Sequence, residues 1–337
     1  MENYHEIISV KDLKIGYKEG KKELVLLDGI NLSAYKGEFI GLVGKNGIGK
    51  TTFLKCLVRL LHPLDGQIEL NQTRINKFSL KELARQISYV STENVNIDNL
   101  TVYELVKYGR YAYTNILGIN KSRDKAMIMH AIQSVRLEHL KNRKINELSD
   151  GEKKKALIAR ALAQDTPVVI LDEPLAFLDL PNKYELVKLL KSTAYNKQKT
   201  IVFSIHDINM ALQECDKLWL IEDQVVREGA PEDLILNGLV HEMFEDSNIF
   251  FDENTGQFKN RSQNIRKIGL IGEGRVACLT EKALSRIFLE TGENQEKNVY
   301  IQKKNDHYIW IFEDNDDKFV FGSINELVHF LKHKLLT

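Results

Sequence analysis

Residues 44–52, GKNGIGKTT, set three glycines ahead of a lysine and two threonines, directly after the apolar run EFIGLV. Gly44, Gly49, Lys50 and Thr51 fill the pattern G-x-x-x-x-G-K-[ST], and TTFLKCLVRLL behind them has the spacing of a helix. A glycine loop between a buried strand and a helix turns backbone N–H groups and the helix N-terminus toward one point, which suits phosphate. Lys50 then reaches the outer phosphates, and the Thr51 hydroxyl can ligate Mg²⁺. A second cluster lies at 167–174, PVVILDEP. Four apolar residues predict a buried strand, and Asp172 and Glu173 emerge together at its end, where α/β sheets bind ligands. Asp172 suits the coordination shell of Mg²⁺, and Glu173 is placed to orient and polarise an attacking water. An acidic turn after a strand is common on its own; its pairing with the phosphate loop gives it meaning. Between the two clusters lies ELSDGEKKKALIARALAQ, where Ser149 and Glu152 make a capping box and the remainder reads as an amphipathic helix.

The elements that must position these groups follow from periodicity. The first 40 or so residues, with ISVKDLKIGY and LLDGINLSAYKGEFIGLVG, alternate and carry glycine turns, which predicts short antiparallel strands. From there to about residue 245 strands and helices alternate, the rhythm of an α/β domain with a mainly parallel sheet. Ser79 with Glu82 and Thr101 with Glu104 mark two further capped helices. Around 246–262 the pattern dissolves into Asn, Asp, Gly and Ser, and a linker is expected there. Beyond it, KIGLIGEGRVACL reads as a hairpin about Gly272 and Gly274, TEKALSRIFL as a helix, three further stretches as strands, and INELVHFLKHKLL as a last helix. The tail thus predicts a small α+β unit at 263–337, with Val299, Ile301, Ile309, Ile311, Phe319 and Phe321 as its core. GEGRVA mimics a dinucleotide fingerprint, but too few residues follow it for such a unit. His329 and His333 share a helix face without a third ligand and read as solvated, as does the EKKKA stretch.

Composition limits the function classes. The chain has 337 residues, 43% of them hydrophobic, which suits about two domains with a sizeable core. Lys plus Arg and Asp plus Glu both number 47, so no global positive field recruits nucleic acid or anionic lipid. The cysteines, Cys56, Cys215 and Cys278, are odd in number and far apart, as expected of reduced thiols in the cytosol. No stretch approaches the roughly 18 apolar residues of a membrane helix, and the N-terminus lacks the apolar core of a leader. Any membrane role is therefore expected to run through a partner.

The order of these motifs resembles the ATP-binding cassette (ABC) ATPases over about residues 7–245. The resemblance implies an α/β fold of the ABC-type P-loop NTPase, with a mixed core sheet, an antiparallel β subdomain and a helical subdomain, to which the tail adds the small C-terminal α+β domain read from its own pattern. Tyr17 resembles the aromatic that stacks on adenine. Gly44, Asn46, Gly47, Gly49, Lys50, Thr51 and Thr52 lie in the Walker A loop. Ser149 and Gly151 match signature positions that contact the γ-phosphate of the other subunit's ATP, Asp172 and Glu173 match Walker B, Asp179 the D-loop, and His206 the switch histidine. The implied cofactors are ATP and Mg²⁺, and the implied assembly is a head-to-tail dimer of two copies.

Two positions depart from the pattern. Thr92 stands at the Q-loop glutamine, with Glu93 after it, so its reach to Mg²⁺ is shorter. Asp150 stands where the signature has glycine. Two like charges about 8 Å apart at an effective dielectric of about 20 repel by roughly 2 kcal/mol before screening, which opposes closure on ATP. HDINMA and YGRYAY are similar to stretches in importers of iron-siderophore complexes, haem and cobalamin. This implies an ATPase at the cytoplasmic face of the membrane, docked on separate permease subunits served by an extracytoplasmic solute-binding protein, with no nucleic acid partner. The other reading open to such a cassette is a soluble ABC ATPase acting on nucleic acid or ribosomes. The tail carries no recognised family pattern.

Overall fold

The computed structural model describes residues 5–20, 22–92, 99–113, 122–245, 247–252, 256–260, 266–292, 295–304, 307–315 and 317–335. The chain divides into two compact units, Met1–Met243 and Phe244–Thr337.

The first unit begins with the antiparallel sheet that the alternation predicts. β1 (Glu6–Glu19) pairs with β2 (Lys22–Tyr35) and with β4 (Asp65–Leu70), and β5 (Thr73–Arg74) extends the edge beyond β4. Ile8, Val10, Leu13 and Ile15 are buried along β1, and shifts in register let it bend as it goes. Gly16 is required by the approach of β2, because a Cβ there would sit 2.0 Å from the Leu24 carbonyl oxygen. The next residue is Tyr17, so this tight crossing fixes where its ring leaves the strand.

The apolar run before the glycine loop is β3 (Phe39–Gly44), buried at every position. It belongs to a six-stranded sheet of order β10 (Val225–Gly229), β9 (Lys217–Glu222), β3, β8 (Thr200–Ser204), β7 (Val168–Leu171), β6 (Ile87–Val90). All neighbours in it pair in parallel except β10, which is antiparallel at the edge. Such strands need cover on both faces. α1 (Lys50–Leu57) supplies part of it, with Phe53 meeting Trp219 edge to face at 5.8 Å. α6 (Leu180–Lys197), α7 (Ile208–Glu214), α8 (Pro231–Leu236) and α9 (Leu239–Glu242) complete the α/β layers.

α2 (Leu80–Gln86), α3 (Val102–Tyr108) and α5 (Asp150–Ala163) each start with a complete capping box, at Ser79, Thr101 and Ser149. With α4 (Ser122–Ser134), α3 and α5 pack into a helical group. The YGRYAY stretch explains itself here. A Cβ on Gly109 would meet the Arg160 carbonyl oxygen at 2.2 Å, so glycine lets α3 close on α5. Arg110 is buried, pairs with Asp124 at 2.8 Å, donates to the Ala163 carbonyl at 2.9 Å and lies 4.1 Å from the centre of the Tyr113 ring. A buried pair of this kind specifies geometry more than it adds stability.

The second unit corrects several expectations. Within the stretch expected to be a linker, whose residues 246, 253–255, 261 and 262 lie outside the described ones, β11 (Ile249–Asp252) and β12 (Gln257–Asn260) form a hairpin. Phe258 contacts Phe244 and Phe251 at ring distances of 4.7 and 5.1 Å, burial that polar neighbours hid in the sequence. The expected hairpin at Gly272 and Gly274 is instead strand, turn and helix: β13 (Arg266–Ile271), α10 (Gly274–Ser285) and β14 (Leu289–Gly292), with β14 parallel to β13. β15 (Lys297–Lys304), β16 (His307–Asp314) and β17 (Asp317–Phe321) continue the sheet in the order β14-β13-β15-β16-β17, and α11 (Ile324–Leu335) ends the unit. Its core contains Ile268, Leu284, Val299, Trp310, Phe312, Leu327 and Leu331. The phase of β16 is thus opposite to that expected: Trp310 and Phe312 face the core, paired with Ile301 and Val299, while Ile309 and Ile311 take the other face. YIWIF is apolar at every position, so alternation could not select a face.

Candidate functional site

The glycine loop runs from the end of β3 into α1. Gly47 and Gly49 have φ of 78° and 117°, values that glycine adopts without steric cost. The helix starts at Gly49 with no side-chain cap and no acidic residue in its first turn. Lys50 curls back into the loop, its Nζ donating to the carbonyls of Gly44 at 2.7 Å and Lys45 at 3.1 Å. Burial holds its amine below the usual lysine range, against the opposite pull of Glu173 and Asp172. Tyr17, half exposed, lies at hydrogen-bond distance from the loop's end, 3.0 Å between its hydroxyl and Thr52 Oγ1. Its ring therefore stands beside the loop with one side open.

Asp172, fully buried at the end of β7, gathers hydroxyls from three other segments. Thr51 Oγ1 donates to its Oδ2 at 2.8 Å, Thr92 Oγ1 to the same oxygen at 3.2 Å, and Ser204 Oγ to Oδ1 at 2.8 Å. Thr92 thus reaches the carboxylate oxygen that Thr51 reaches, whereas Glu93 lies outside the described residues. One carboxylate and two hydroxyls converging from different elements make an oxygen set of the kind hard dications take.

Glu173 adopts φ of 46°, a left-handed conformation costing about 1–3 kcal/mol in a residue with a side chain. Its N–H donates to Ser204 Oγ at 2.7 Å, and its Oε1 lies 2.7 Å from His206 Nε2. Both side chains are partly exposed, so this pair faces the open side of the site. The ends of β3, β7 and β8 therefore place a phosphate loop, a buried carboxylate ringed by hydroxyls and a solvent-facing Glu–His pair in one region.

Ser149 and Asp179 are occupied at their own helix starts. Ser149 caps α5, with Glu152 completing the box at 2.8 Å, and hydrogen bonds from Ser149 hold the Glu152 carboxyl below its usual range. Gly151 packs tightly, since a Cβ there would meet Leu178 at 3.1 Å. Asp150 is exposed and pairs with Lys153 at 3.3 Å. Asp179 caps α6, accepting from the Asn182 N–H at 3.1 Å, and hydrogen bonds from Asn182 hold its carboxyl low.

Two residues at the site were missed in the sequence. Ser204 is a polar residue closing the apolar strand VFS two places before His206, a position that could have flagged it. Lys154 corrects the reading of EKKKA as a solvated face: it is buried, and its Nζ donates to the Asp172 carbonyl at 3.0 Å and the Ser91 carbonyl at 3.4 Å. Lys154, Ile158 and Ala161 share the helical spacing of the buried side, which was the available signal.

Comparison with known proteins adds the family. The ABC transporter profile matches residues 27–176, and the profile of the iron ABC transporter C-terminal domain matches residues 265–332, in the tail that carried no recognised pattern. One petrobactin import ATP-binding protein of Bacillus anthracis is 35% identical over 70% of this chain and 86% of its own length. The ferric enterobactin transport ATP-binding protein of Escherichia coli K12 is 30% identical over 69% of this chain and 85% of its own. Among solved structures, the dimeric post-hydrolysis state of an ATP-binding cassette with ADP and Pi superposes with a TM-score of 0.61 at 28% identity, covering 67% of this chain and 99% of that one.

Proposed function

The chain belongs to the ATP-binding proteins of ABC transporters, and from that premise we propose that the cluster around Asp172 and Glu173 is the ATP-hydrolysing site that powers import of an iron chelate. The iron class is supported by the relatives and by the iron transporter profile in the tail. The observation that carries the chemistry is the Glu173 carboxylate, held 2.7 Å from His206 beside the hydroxyl-ringed Asp172.

Each residue then has a task. The uncapped start of α1 and the loop N–H groups receive the phosphates, and Lys50 exchanges the Gly44 and Lys45 carbonyls for their oxygens. Tyr17 offers its open ring to the adenine. Asp172, Thr51 and Thr92 would hold Mg²⁺, which when bound neutralises charge on the outer phosphates. Glu173 takes the proton from the attacking water, and His206 fixes the direction of its carboxylate. Ser149, Gly151 and Asp179 act across the interface: a second copy would present them to the γ-phosphate, so two chains close head to tail on two ATP.

Among the described residues no helix is long and apolar enough to cross a membrane. The kinship with transport ATP-binding proteins supports placing the dimer at the cytoplasmic face, against separate permease subunits fed by a solute-binding protein. Every residue with a task in hydrolysis precedes 245, which supports residues 1–245 as the catalytic domain and 263–337 as a separate one. The test is Glu173→Gln. ATP binding should persist, hydrolysis should slow by about 10²- to 10⁴-fold, and an ATP-trapped dimer should appear by size-exclusion chromatography. A monomer with full turnover would overturn the assignment.

A further inference from the structure

We infer that Lys154 is a positioning residue for hydrolysis, a buried cation that holds the two peptide bonds leading into Glu173 and Thr92. The inference rests on the reading of Asp172 and Glu173 as the hydrolytic site. A lysine on the buried side of a helix is costly unless its ammonium finds acceptors. Lys154 finds two: the Asp172 carbonyl at 3.0 Å and the Ser91 carbonyl at 3.4 Å. These oxygens belong to the peptide groups 172–173 and 91–92, so one side chain of α5 ties together the ends of β7 and β6.

The first of these peptides is the one that needs holding. Glu173 has a φ of 46° and is not glycine, so its conformation persists only where neighbours impose it. Ser204 Oγ accepts from the Glu173 N–H at 2.7 Å, on one side of the peptide. Lys154 donates to the carbonyl on the other side, and the unit is clamped at both polar atoms. The second peptide carries Thr92, whose hydroxyl reaches Asp172 at 3.2 Å. An ammonium with three donors on a flexible stem can serve both carbonyls at once. The clamp is separate from nucleotide capture: Lys50 and the glycine loop lie on another segment, and the start of α5 is capped by Ser149 and Glu152.

This separation makes a distinctive test in the full chain. Lys154→Met keeps length and apolar packing but removes every donor. Its kcat for ATP should fall by about 10- to 100-fold, the scale of a misplaced catalytic group. The Kd for ATP should change less than about threefold, and a Lys154→Met/Glu173→Gln double variant should still trap the ATP dimer. Lys154→Arg, which restores donors, should recover most of the turnover. A kcat within about twofold of the unmodified chain would overturn the inference. So would kcat and ATP affinity falling together, the mark of a merely structural lysine. If Lys154→Met does not fold, Lys154→Ala, which also lacks every side-chain donor, is read against the same criteria. Full turnover in Glu173→Gln alone would instead remove the site reading on which the inference rests.

Discussion

Two helices of the first unit are proposed to meet phosphate, and they begin in opposite ways. α1 starts at Gly49 with φ of 117°, no side-chain cap and no acidic residue in its first turn. α5 starts at Ser149 with a complete capping box and with Asp150 and Glu152 in its first turn. A helix leaves its first N–H groups without intrahelical partners, and its dipole favours anions there. At α1 the described residues show no side-chain cap, and the Lys50 amine folds onto the loop's own carbonyls. At α5 the chain's own side chains supply both the hydrogen bonds and the negative charge. On the proposed reading, the difference separates a start that needs a ligand from one already complete, to which a partner's nucleotide would be a later addition.

The largest test of that contrast is Lys50→Ala. It removes the cation that compensates the outer phosphates, and a hydrogen bond to a charged group contributes about 1.5–3 kcal/mol. ATP affinity should fall on the order of 100-fold, read by equilibrium nucleotide binding. Near-normal affinity would mean that the uncapped helix start alone carries the binding. Asp150→Gly probes the other start. Unscreened repulsion from the bound phosphate would reach roughly 2 kcal/mol at about 8 Å and a dielectric of about 20. Asp150 is 69% exposed and paired with Lys153, so screening reduces that figure. ATP-dependent dimerisation should tighten only severalfold, and unchanged or weaker dimerisation would show that Asp150 points away from the phosphate.

The smallest effect is expected from Ser149→Ala in the nucleotide-free protein. Loss of an N-cap costs about 1 kcal/mol, or about 2 °C in Tm for a unit of this size. The pH dependence has a definite sign. Hydrogen bonds from Ser149 depress the folded-state pKa of Glu152. Its contribution is therefore fully present above the unfolded value of about 4.3 and is lost as pH falls through the lower folded value. The gap in Tm between the unmodified chain and Ser149→Ala should be full at pH 7 and shrink below about pH 4. A gap that widened in acid would show that the carboxylate does not support the cap.

Much of the site was legible before the fold, for local reasons. The spacing of Gly44, Gly49, Lys50 and Thr51 carries its own backbone conformation, and a capping box is written within four consecutive residues. The convergence of Thr51, Thr92 and Ser204 on Asp172 is different, because it joins four segments through the order of strands. The sequence raised doubt about Thr92, since threonine is shorter than glutamine. The placement of β6 beside β7 brings that hydroxyl within 3.2 Å of the carboxylate.

What the sequence determined by itself is what short-range chemistry controls: the phosphate loop, the paired carboxylates, the caps, and the alternation of strand and helix. Tertiary structure decided the positions where local pattern is degenerate. In YIWIF every residue is apolar, and pairing with β15 selected Trp310 and Phe312 for the core. At GEGRVA the glycines permit either a hairpin or a strand-to-helix turn, and the parallel partner β14 selected the latter. Lys154 is chemically an ordinary surface lysine. It is a buried donor because the rotation of α5 places its amine between two carbonyls contributed by other strands, and helix rotation is set by packing, not by the residue itself.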